Sequence, residues 1–259
     1  MNETTFKLGP RFLPVAGVAM LILGLAGPAT AMANVYDTPS CKLYKGDASL
    51  ESLQQRETDL KEELLRSASP AIGDHCEMAN IHYQLARMLP DKQFQYLNSC
   101  IDHSQKAVLR DPRAGVAYFF KGLCLGRLGE IKGLWGSLNI IEPFRKNMEV
   151  AVEINPAIDS GGPHRALGRL YFKLPVILGG DIKKSIDHLL QAVSYGPNYW
   201  ENHFFLAESY LENNQYLLAR TELQQAIEIA SQLNEDDADS KTRTVEIQGL
   251  MQAIERNIN

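Results

Sequence analysis

The chain has 259 residues, of which 45% are hydrophobic and 22% charged, a balance that suits one soluble globular domain or one solenoid. Its formal net charge of −5 argues against a nucleic-acid-binding surface. The sequence contains no Walker loop, no G-x-G-x-x-G, no H-E-x-x-H and no serine elbow. We therefore expect a protein that binds a partner, without enzymatic activity, metal or cofactor.

Residues 1–33 have the pattern of a signal peptide. Two basic residues near the start precede an apolar run over 12–26, and small residues offer a cleavage site after Ala33 or, as a second choice, after Ala31. The run is short for a membrane span, and a retained anchor is the alternative. No lipobox cysteine follows the run. We expect a soluble exported protein, periplasmic after cleavage, rather than a lipoprotein.

Residues 34–73 are predicted to form an irregular segment followed by one helix. The irregular part contains Pro39 and Gly46. The helix is predicted from Ser49 or Leu50 to Ser67, because its leucines fall on one face and its charged side chains on the other.

Residues 74–233 are predicted to fold into four helical hairpins, because one residue pattern recurs along them. A His, a Leu, a small residue and a Tyr share the same offsets in two first helices, as His164, Leu167, Gly168 and Tyr171 and again as His203, Leu206, Ala207 and Tyr210. This spacing is typical of the tetratricopeptide repeat (TPR), and the first hairpin is expected to use Leu85 and Ala86 for the close contacts. The predicted fold class is all-α, an α-solenoid of TPR-like hairpins.

Two of the hairpins are longer than the standard repeat. The second hairpin, with a turn predicted at Gly129, has about ten extra residues over 133–142, and the third has a shorter excess over 174–179. Both segments are apolar and contain glycine, whereas a loop exposed only to solvent would be polar. We expect them to cover each other, line a pocket or contact a partner; the alternative is that they plug the core.

Residues 234–259 are predicted to close the array. An acidic linker over 234–239 precedes a helix from Ser240 to about Arg256. Apolar positions on this helix would cover the last hairpin, as the terminal unit of a solenoid must.

Four cysteines, an even number, permit disulfides in an exported chain. They are Cys41, Cys76, Cys100 and Cys124. Three pairings are possible, and the position of Cys100 and Cys124 on neighbouring predicted helices favours joining these two, which leaves Cys41 with Cys76. The alternative is four buried thiols that act as small hydrophobic residues.

One series of motifs is concentrated in the second and third hairpins. It consists of Gly-Leu-Trp-Gly over 133–136, Phe-Arg-Lys-Asn-Met-Glu over 144–149, Gly-Pro-His-Arg-Ala-Leu-Gly-Arg-Leu-Tyr over 162–171, Leu-Pro over 174–175 and Gly-Gly-Asp over 179–181. Over roughly 114–229 the sequence resembles the T-component of tripartite ATP-independent periplasmic (TRAP) transporters. More distantly, it is similar to the eukaryotic regulators of microtubule dynamics.

The resemblance to the T-component implies an exported TPR-like α-solenoid without enzymatic activity. It also implies a homotrimer with an internal chamber, a periplasmic solute-binding protein as partner and a small hydrophobic organic acid as ligand. The family is often lipid-anchored, whereas this chain lacks a lipobox.

The concave face of a TPR array is lined by fixed positions of the first helices. Counted from Gly168 and Ala207, and with Trp135 added as an apolar anchor, the predicted ligand or partner residues are Tyr83, Arg87, Phe119, Leu123, Trp135, Arg165, Arg169, Phe172, Phe204 and Glu208. An apolar face with arginines suits an organic anion or an amphipathic segment of a partner protein. Alternatively, Arg165 and Arg169 pair with Glu201 and Glu208 of the next hairpin.

His164 and His203 occupy equivalent places in adjacent first helices. They would either approach each other and titrate near neutral pH, or fill the core as flat rings. No third ligand lies near them in the sequence, so we expect no metal site there.

These observations lead to two functional hypotheses. The first is a non-enzymatic periplasmic accessory component of a TRAP transporter, which binds a solute-binding protein and an apolar organic anion. The alternative is a generic TPR scaffold for a peptide or protein partner in the cell envelope.

Overall fold

The computed structural model describes residues 41–233 and 240–258, and all regular structure within them is helical. The predicted signal peptide and the acidic stretch 234–239 lie outside the described residues. No described helix combines the length and the apolar character needed to cross a membrane. The α-helices, in chain order, are α1 (Leu50–Arg66), α2 (Ile72–Met88), α3 (Gln93–Arg110), α4 (Gly115–Gly136), α5 (Leu138–Ile154), α6 (Gly162–Lys173), α7 (Ile182–Tyr195), α8 (Trp200–Glu212), α9 (Tyr216–Ala230) and α10 (Ser240–Ile258).

Eight of these helices form four successive hairpins, α2–α3, α4–α5, α6–α7 and α8–α9. Each hairpin packs on the next, α1 packs on α2, and α10 packs on α8 and α9. Successive first helices contact one another, whereas successive second helices do not within the described part of the chain. The first helices α2, α4, α6 and α8 therefore line the inner side of an all-α solenoid, as predicted.

Close approach of paired helices explains the small residues of the repeat. Gly168 lies against α7 so closely that a Cβ atom would be 2.6 Å from Leu189 Cγ. Ala207 occupies the equivalent place on α8 and is fully buried, as is Leu189. Burial of one such leucine stabilises the fold by about 1.5–3 kcal/mol. A larger residue at position 168 would push α7 away and lose part of that burial.

The first insertion differs from its prediction. No turn occurs at Gly129; α4 continues to Gly136 with one non-helical residue, Gly133 (φ 67°), and α5 begins two residues later. Gly129 instead permits close packing, because a Cβ there would lie 3.3 Å from Ser137 Cβ at the start of α5. The extra residues therefore form a short helical stretch after the kink at Gly133 and the first turn of α5.

The second insertion is a compact 3₁₀ turn, Val176–Leu178, between α6 and α7. Gly180 passes so near the preceding backbone that a Cβ would lie 1.8 Å from the Leu174 carbonyl oxygen. Asp181 caps α7 by accepting hydrogen bonds from two backbone N–H groups at 3.0 and 3.2 Å. The Val176 and Ile177 side chains are 86% and 91% exposed, so they neither plug the core nor line a pocket.

Two disulfides link the first half of the described chain. Cys41 is bonded to Cys76, which ties the segment before α1 to α2. Cys100 is bonded to Cys124, which joins α3 to α4 and thus one hairpin to the next. Of the three possible pairings, this is the one that the neighbouring-helix argument favours.

Candidate partner-binding face

Arg165, a predicted face residue on α6, is instead buried between hairpins, with 8% of its surface exposed. Its guanidinium donates to Asp159 Oδ2 at 2.6 Å and to Asn202 Oδ1 at 3.0 Å. Its Nε lies 3.7 Å from Glu201 Oε2, and its Cζ lies 4.2 Å from the centre of the Tyr199 ring. The charge of Arg165 is therefore compensated within the protein, which agrees with the ion-pair alternative.

The turn before α6 has an unusual backbone conformation. Three consecutive residues, Asp159–Gly161, have φ values of 48°, 55° and 82°, a left-handed region that costs a non-glycine residue about 1–2 kcal/mol. Asn202 is fully buried, and its Nδ2 lies 2.9 Å from the carbonyl oxygens of Ser160, Ala192 and Gly196, so its two N–H groups are shared among three acceptors at the turn. Glycine is required at the third position because a Cβ there would lie 2.6 Å from the Ala192 carbonyl oxygen.

Arg169 lies one turn after Arg165 and forms an ion pair with Glu208 of the next first helix. The Arg169 guanidinium lies 4.0 Å from the centre of the Phe205 ring and 5.2 Å from that of Phe172. Burial raises the pKa of the Glu208 carboxyl above its ordinary value, although Arg169 acts in the opposite direction. In this part of the face, aromatic rings therefore lie beside an ion pair whose two charges neutralise each other.

Two predicted face residues belong to the core instead. Phe119 is 1% exposed, and its ring occupies the place where a Cβ on Gly162 would come within 2.7 Å. Phe204 is 5% exposed, and its ring packs on those of Trp200 and Phe205 with centroids 5.7 and 5.6 Å apart. The prediction that these two side chains line the concave face is therefore wrong.

The repeat itself explains this correction. The position three residues before the small residue is buried in the last three hairpins, where it holds Phe119, Arg165 and Phe204. The position one residue after the small residue is half-buried in the last three hairpins, where it holds Leu123, Arg169 and Glu208. The second position faces the concave side, whereas the first packs between hairpins.

The other predicted face residues lie on α2, α4 and α6. Tyr83 and Phe172 are half-buried and Arg87 is exposed. Burial raises the pKa of the Tyr83 phenol above its ordinary value. Trp135 lies in the last turn of α4, and its side chain lies outside the described residues.

His164 and His203 do not approach each other. His164 Nδ1 lies 3.0 Å from Nδ1 of His188, and His203 Nδ1 lies 2.7 Å from Glu222 Oε2, so each histidine contacts the second helix of its own hairpin. The sequence signal that identifies these partners is a polar residue four positions before a buried alanine of the second helix. Sequence reasoning missed these partners, as it missed Asn202 and Asp159.

The described residues contain no cluster of three His, Cys, Asp or Glu side chains that could hold a metal ion. A cleft of 390 Å³ opens along α4 and α5, and none of the predicted face residues lines it. Its lining residues are Tyr118, Lys121, Glu142, Pro143, Lys146, Asn147 and Val150.

Comparison with known proteins supports the fold. The crystal structure of TTC0263, described as a thermophilic TPR protein in Thermus thermophilus, is similar to this chain with a TM-score of 0.51 and 22% sequence identity. The match covers 76% of this chain and 89% of that chain. No family model matches the sequence, and no curated protein matches it. The chain has a TPR-like helical repeat fold, and its relationship to any one TPR family rests on the motifs quoted above.

Proposed function

We propose that this protein is an exported, non-enzymatic scaffold that binds a segment of a partner protein along its first-helix face. The observation that carries the proposal is that the charges of Arg165 and Arg169 are already neutralised within the protein. Arg165 and Arg169 are each paired with carboxylates of the protein, while half-buried rings such as Phe172 and Phe205 remain at the surface. Apolar rings beside compensated charges suit an amphipathic segment, which buries apolar side chains and keeps polar ones at the rim.

The location proposed for this scaffold is the periplasm. Two disulfides support it, because such bonds persist mainly in oxidising compartments. The finer form of the proposal is an accessory component of a TRAP transporter, with a periplasmic solute-binding protein as the partner and a homotrimer as the assembly. Its support is the motif series, of which 174–181 folds into a compact turn with exposed apolar side chains.

An apolar organic anion is the second candidate ligand. The observation that favours it is the arrangement around Arg169, whose guanidinium lies within 4.0 Å of an aromatic ring centre and is held by Glu208. Because burial raises the pKa of this carboxyl, a ligand carboxylate could replace it at the guanidinium. The tail of such a ligand would lie on Phe172 and Phe205.

The test is association of the disulfide-intact protein with the solute-binding protein encoded nearest to its gene, measured by isothermal titration calorimetry. Phe172→Asp should weaken binding at least tenfold, because it places a charge in the apolar contact. Thr221→Asp, at an exposed position of α9, is the matched control and should leave binding unchanged. Phe119 is unsuitable for this purpose because its substitution would disturb the core.

Three outcomes separate the candidates. Binding that Phe172→Asp weakens and Thr221→Asp does not supports the transporter role. Absence of binding, combined with an organic acid seen by native mass spectrometry in protein purified from its host, supports the anion carrier. Binding that both variants retain shows that the first-helix face is not the contact surface.

A further inference from the structure

Three of the four hairpins are closed by the same kind of contact. A histidine in the first turn of the first helix reaches across to the residue four positions before the buried alanine of the second helix. The contacts join His75 Nδ1 to His103 Nδ1 at 2.9 Å, His164 Nδ1 to His188 Nδ1 at 3.0 Å and His203 Nδ1 to Glu222 Oε2 at 2.7 Å. Two hairpins therefore use a histidine pair, and the fourth uses a histidine with a carboxylate.

The two kinds of contact respond oppositely to protons. A hydrogen bond between two imidazole nitrogens needs one N–H donor and one bare acceptor, so a histidine pair can hold at most one extra proton. A second proton removes the acceptor and sets two cations about 3 Å apart. In the histidine–carboxylate contact, by contrast, protonation of the ring creates an ion pair.

We propose that the histidine pairs of the first and third hairpins form an acid-sensitive switch in the fold. Each pair holds its two helices together when it carries no more than one extra proton. Uptake of the second proton breaks the hydrogen bond and loosens that hairpin. The histidine–glutamate contact of the fourth hairpin is strengthened under the same conditions, so acid weakens the array selectively.

The pair in the third hairpin is enclosed by rings. His164 stacks on Tyr195 with an interplanar angle of 7°, and His188 stacks on Tyr171 with an angle of 11°. Burial and then His188 lower the pKa of His164 to about 4. Burial also lowers the pKa of His188, while two charged neighbours on α7 oppose each other there: Asp187 raises it and Lys184 lowers it.

The pair in the first hairpin has more charged neighbours. Burial lowers the pKa of His103 to about 4, followed by the effects of His82, His75 and Lys106. Burial lowers the pKa of His75 as well, helped by Arg110 and Lys106. The charged or titratable groups that face this pair are Asp74 and His82 on α2, Asp102, Lys106 and Arg110 on α3, and, bonded to His82, Glu57 on α1.

The fourth hairpin provides an internal comparison. Burial alone would lower the pKa of His203, but its hydrogen bonds to Glu222 and to the Pro197 carbonyl raise it above the ordinary value. The position of the contact in the repeat is the same as in the third hairpin. The second-helix partner differs, so exchange of that one residue should shift the acid response of each hairpin toward that of the other.

The sign of the pH dependence follows from proton linkage. A histidine whose pKa is lower in the folded state than in the unfolded state stabilises the fold above pH 6.5, and this contribution is lost as the pH falls toward 4. From pH 7 to pH 5, each pair should raise the unfolding equilibrium constant at least tenfold, so two pairs should raise it at least a hundredfold. The fourth hairpin should add nothing to this loss.

The experiment measures urea unfolding of the disulfide-intact protein between pH 7 and pH 5, with three chains. His188→Glu copies the fourth hairpin into the third and should remove at least a tenfold share of the acid effect. Glu222→His copies the third hairpin into the fourth and should add about as much. Equal pH dependence in the original chain and in both variants would overturn the proposal.

Proton uptake can be measured directly, so the test does not depend on these variants folding. In the original protein, the NMR titration of the His164 ring should occur well below pH 6.5. His188→Gln, which keeps a hydrogen-bonding side chain without a second titrating ring, should move it upward. Titration of His164 near pH 6.5 in the original protein would also refute the switch.

Discussion

Substitution of Asn202 tests which contacts hold the third and fourth hairpins together. Its side chain is fully buried, its two Nδ2–H groups are shared among three backbone carbonyls at 2.9 Å, and its Oδ1 accepts from Arg165 at 3.0 Å. A neutral hydrogen bond contributes about 1 kcal/mol net, and one to a charged group about 1.5–3 kcal/mol. Asn202→Ala should therefore destabilise the protein by about 3–5 kcal/mol, near the upper limit for one substitution.

Asn202→Asp separates the contribution of the Nδ2 donors from that of the Oδ1 acceptor. The aspartate keeps the shape and the acceptor for Arg165, but it donates nothing and sets a carboxylate against three carbonyl oxygens. We expect a loss of about 3 kcal/mol, because the added attraction to Arg165 offsets only part of the repulsion. Asn98→Asp, at an exposed position of α3, is the control and should change stability by less than about 0.5 kcal/mol.

The assay combines urea unfolding followed by far-ultraviolet circular dichroism with hydrogen exchange. Exchange should accelerate first at the amides of 159–161 and of α6, because the left-handed turn loses its donor. A loss below about 1 kcal/mol in Asn202→Asp, or unchanged exchange in the turn, would refute the view that the amide donors of Asn202 hold this turn.

Two further experiments test the backbone and one disulfide. Gly161→Ala should lower the free energy of unfolding by about 3 kcal/mol, because its Cβ would be strained at φ 82° and would lie 2.6 Å from a backbone carbonyl oxygen. Gly249→Ala in α10, where nothing lies within 4 Å of the added Cβ, should instead raise it by about 0.5–1 kcal/mol. Thermal unfolding of both variants measures the two changes. Replacing Cys100 and Cys124 by serine removes a link across 24 residues and should lower the free energy of unfolding by about 3 kcal/mol, measured in urea; a loss below about 1 kcal/mol would show that the link contributes little.

The helical hairpins could be predicted from the sequence because their determinants are local. The spacing of His164, Leu167 and Gly168 reports the contacts of a single helix with its partner, and it recurs 39 residues later at His203. Periodicity of about 3.6 residues and a small residue at the closest approach fix the type of element and its packing face. No distant contact needs to be known for this inference.

The turn of the second hairpin could not be placed in the same way, because glycine has more than one use. Gly129 and Gly133 both lie near the predicted turn, and sequence alone does not separate them. In the structure Gly133 takes the left-handed conformation, while Gly129 makes room for the start of α5. Which of the two glycines contacts α5 depends on where α4 ends and α5 begins, and the local sequence does not show this.

The predicted register of the first hairpin is wrong, but the helix face predicted from it is the same. The sequence pattern aligns this hairpin on Ala86, whereas the bond between His75 and His103 aligns it on Ala79. The two alignments differ by seven residues, which is close to two turns of an α-helix. The same helix face is therefore selected by both, and Tyr83 remains on the concave side.

The candidate face itself depends on interactions that cross hairpins, and these have no local signature. Arg165 stands where the second and fourth hairpins have Phe119 and Phe204, so a charge occupies a position that the repeat reserves for the core. Removing a guanidinium from water is unfavourable unless partners surround it. The chain meets this requirement with Asp159 and the donors and acceptors around it, brought together by a left-handed turn.

A sequence under selection only for stable stacking would fill the position of Arg165 with an apolar side chain, since a buried ion pair rarely stabilises more than good packing does. The third hairpin departs from its own repeat at this position, and the departure requires a strained turn and a buried amide to support it. Strain and buried polar groups that the fold does not need are retained where geometry must be fixed. The cluster around Arg165 joins α6 and the turn before it to α8 through Asn202 and Glu201, and Arg169, Phe172 and Phe205 of the proposed face lie on the same two helices.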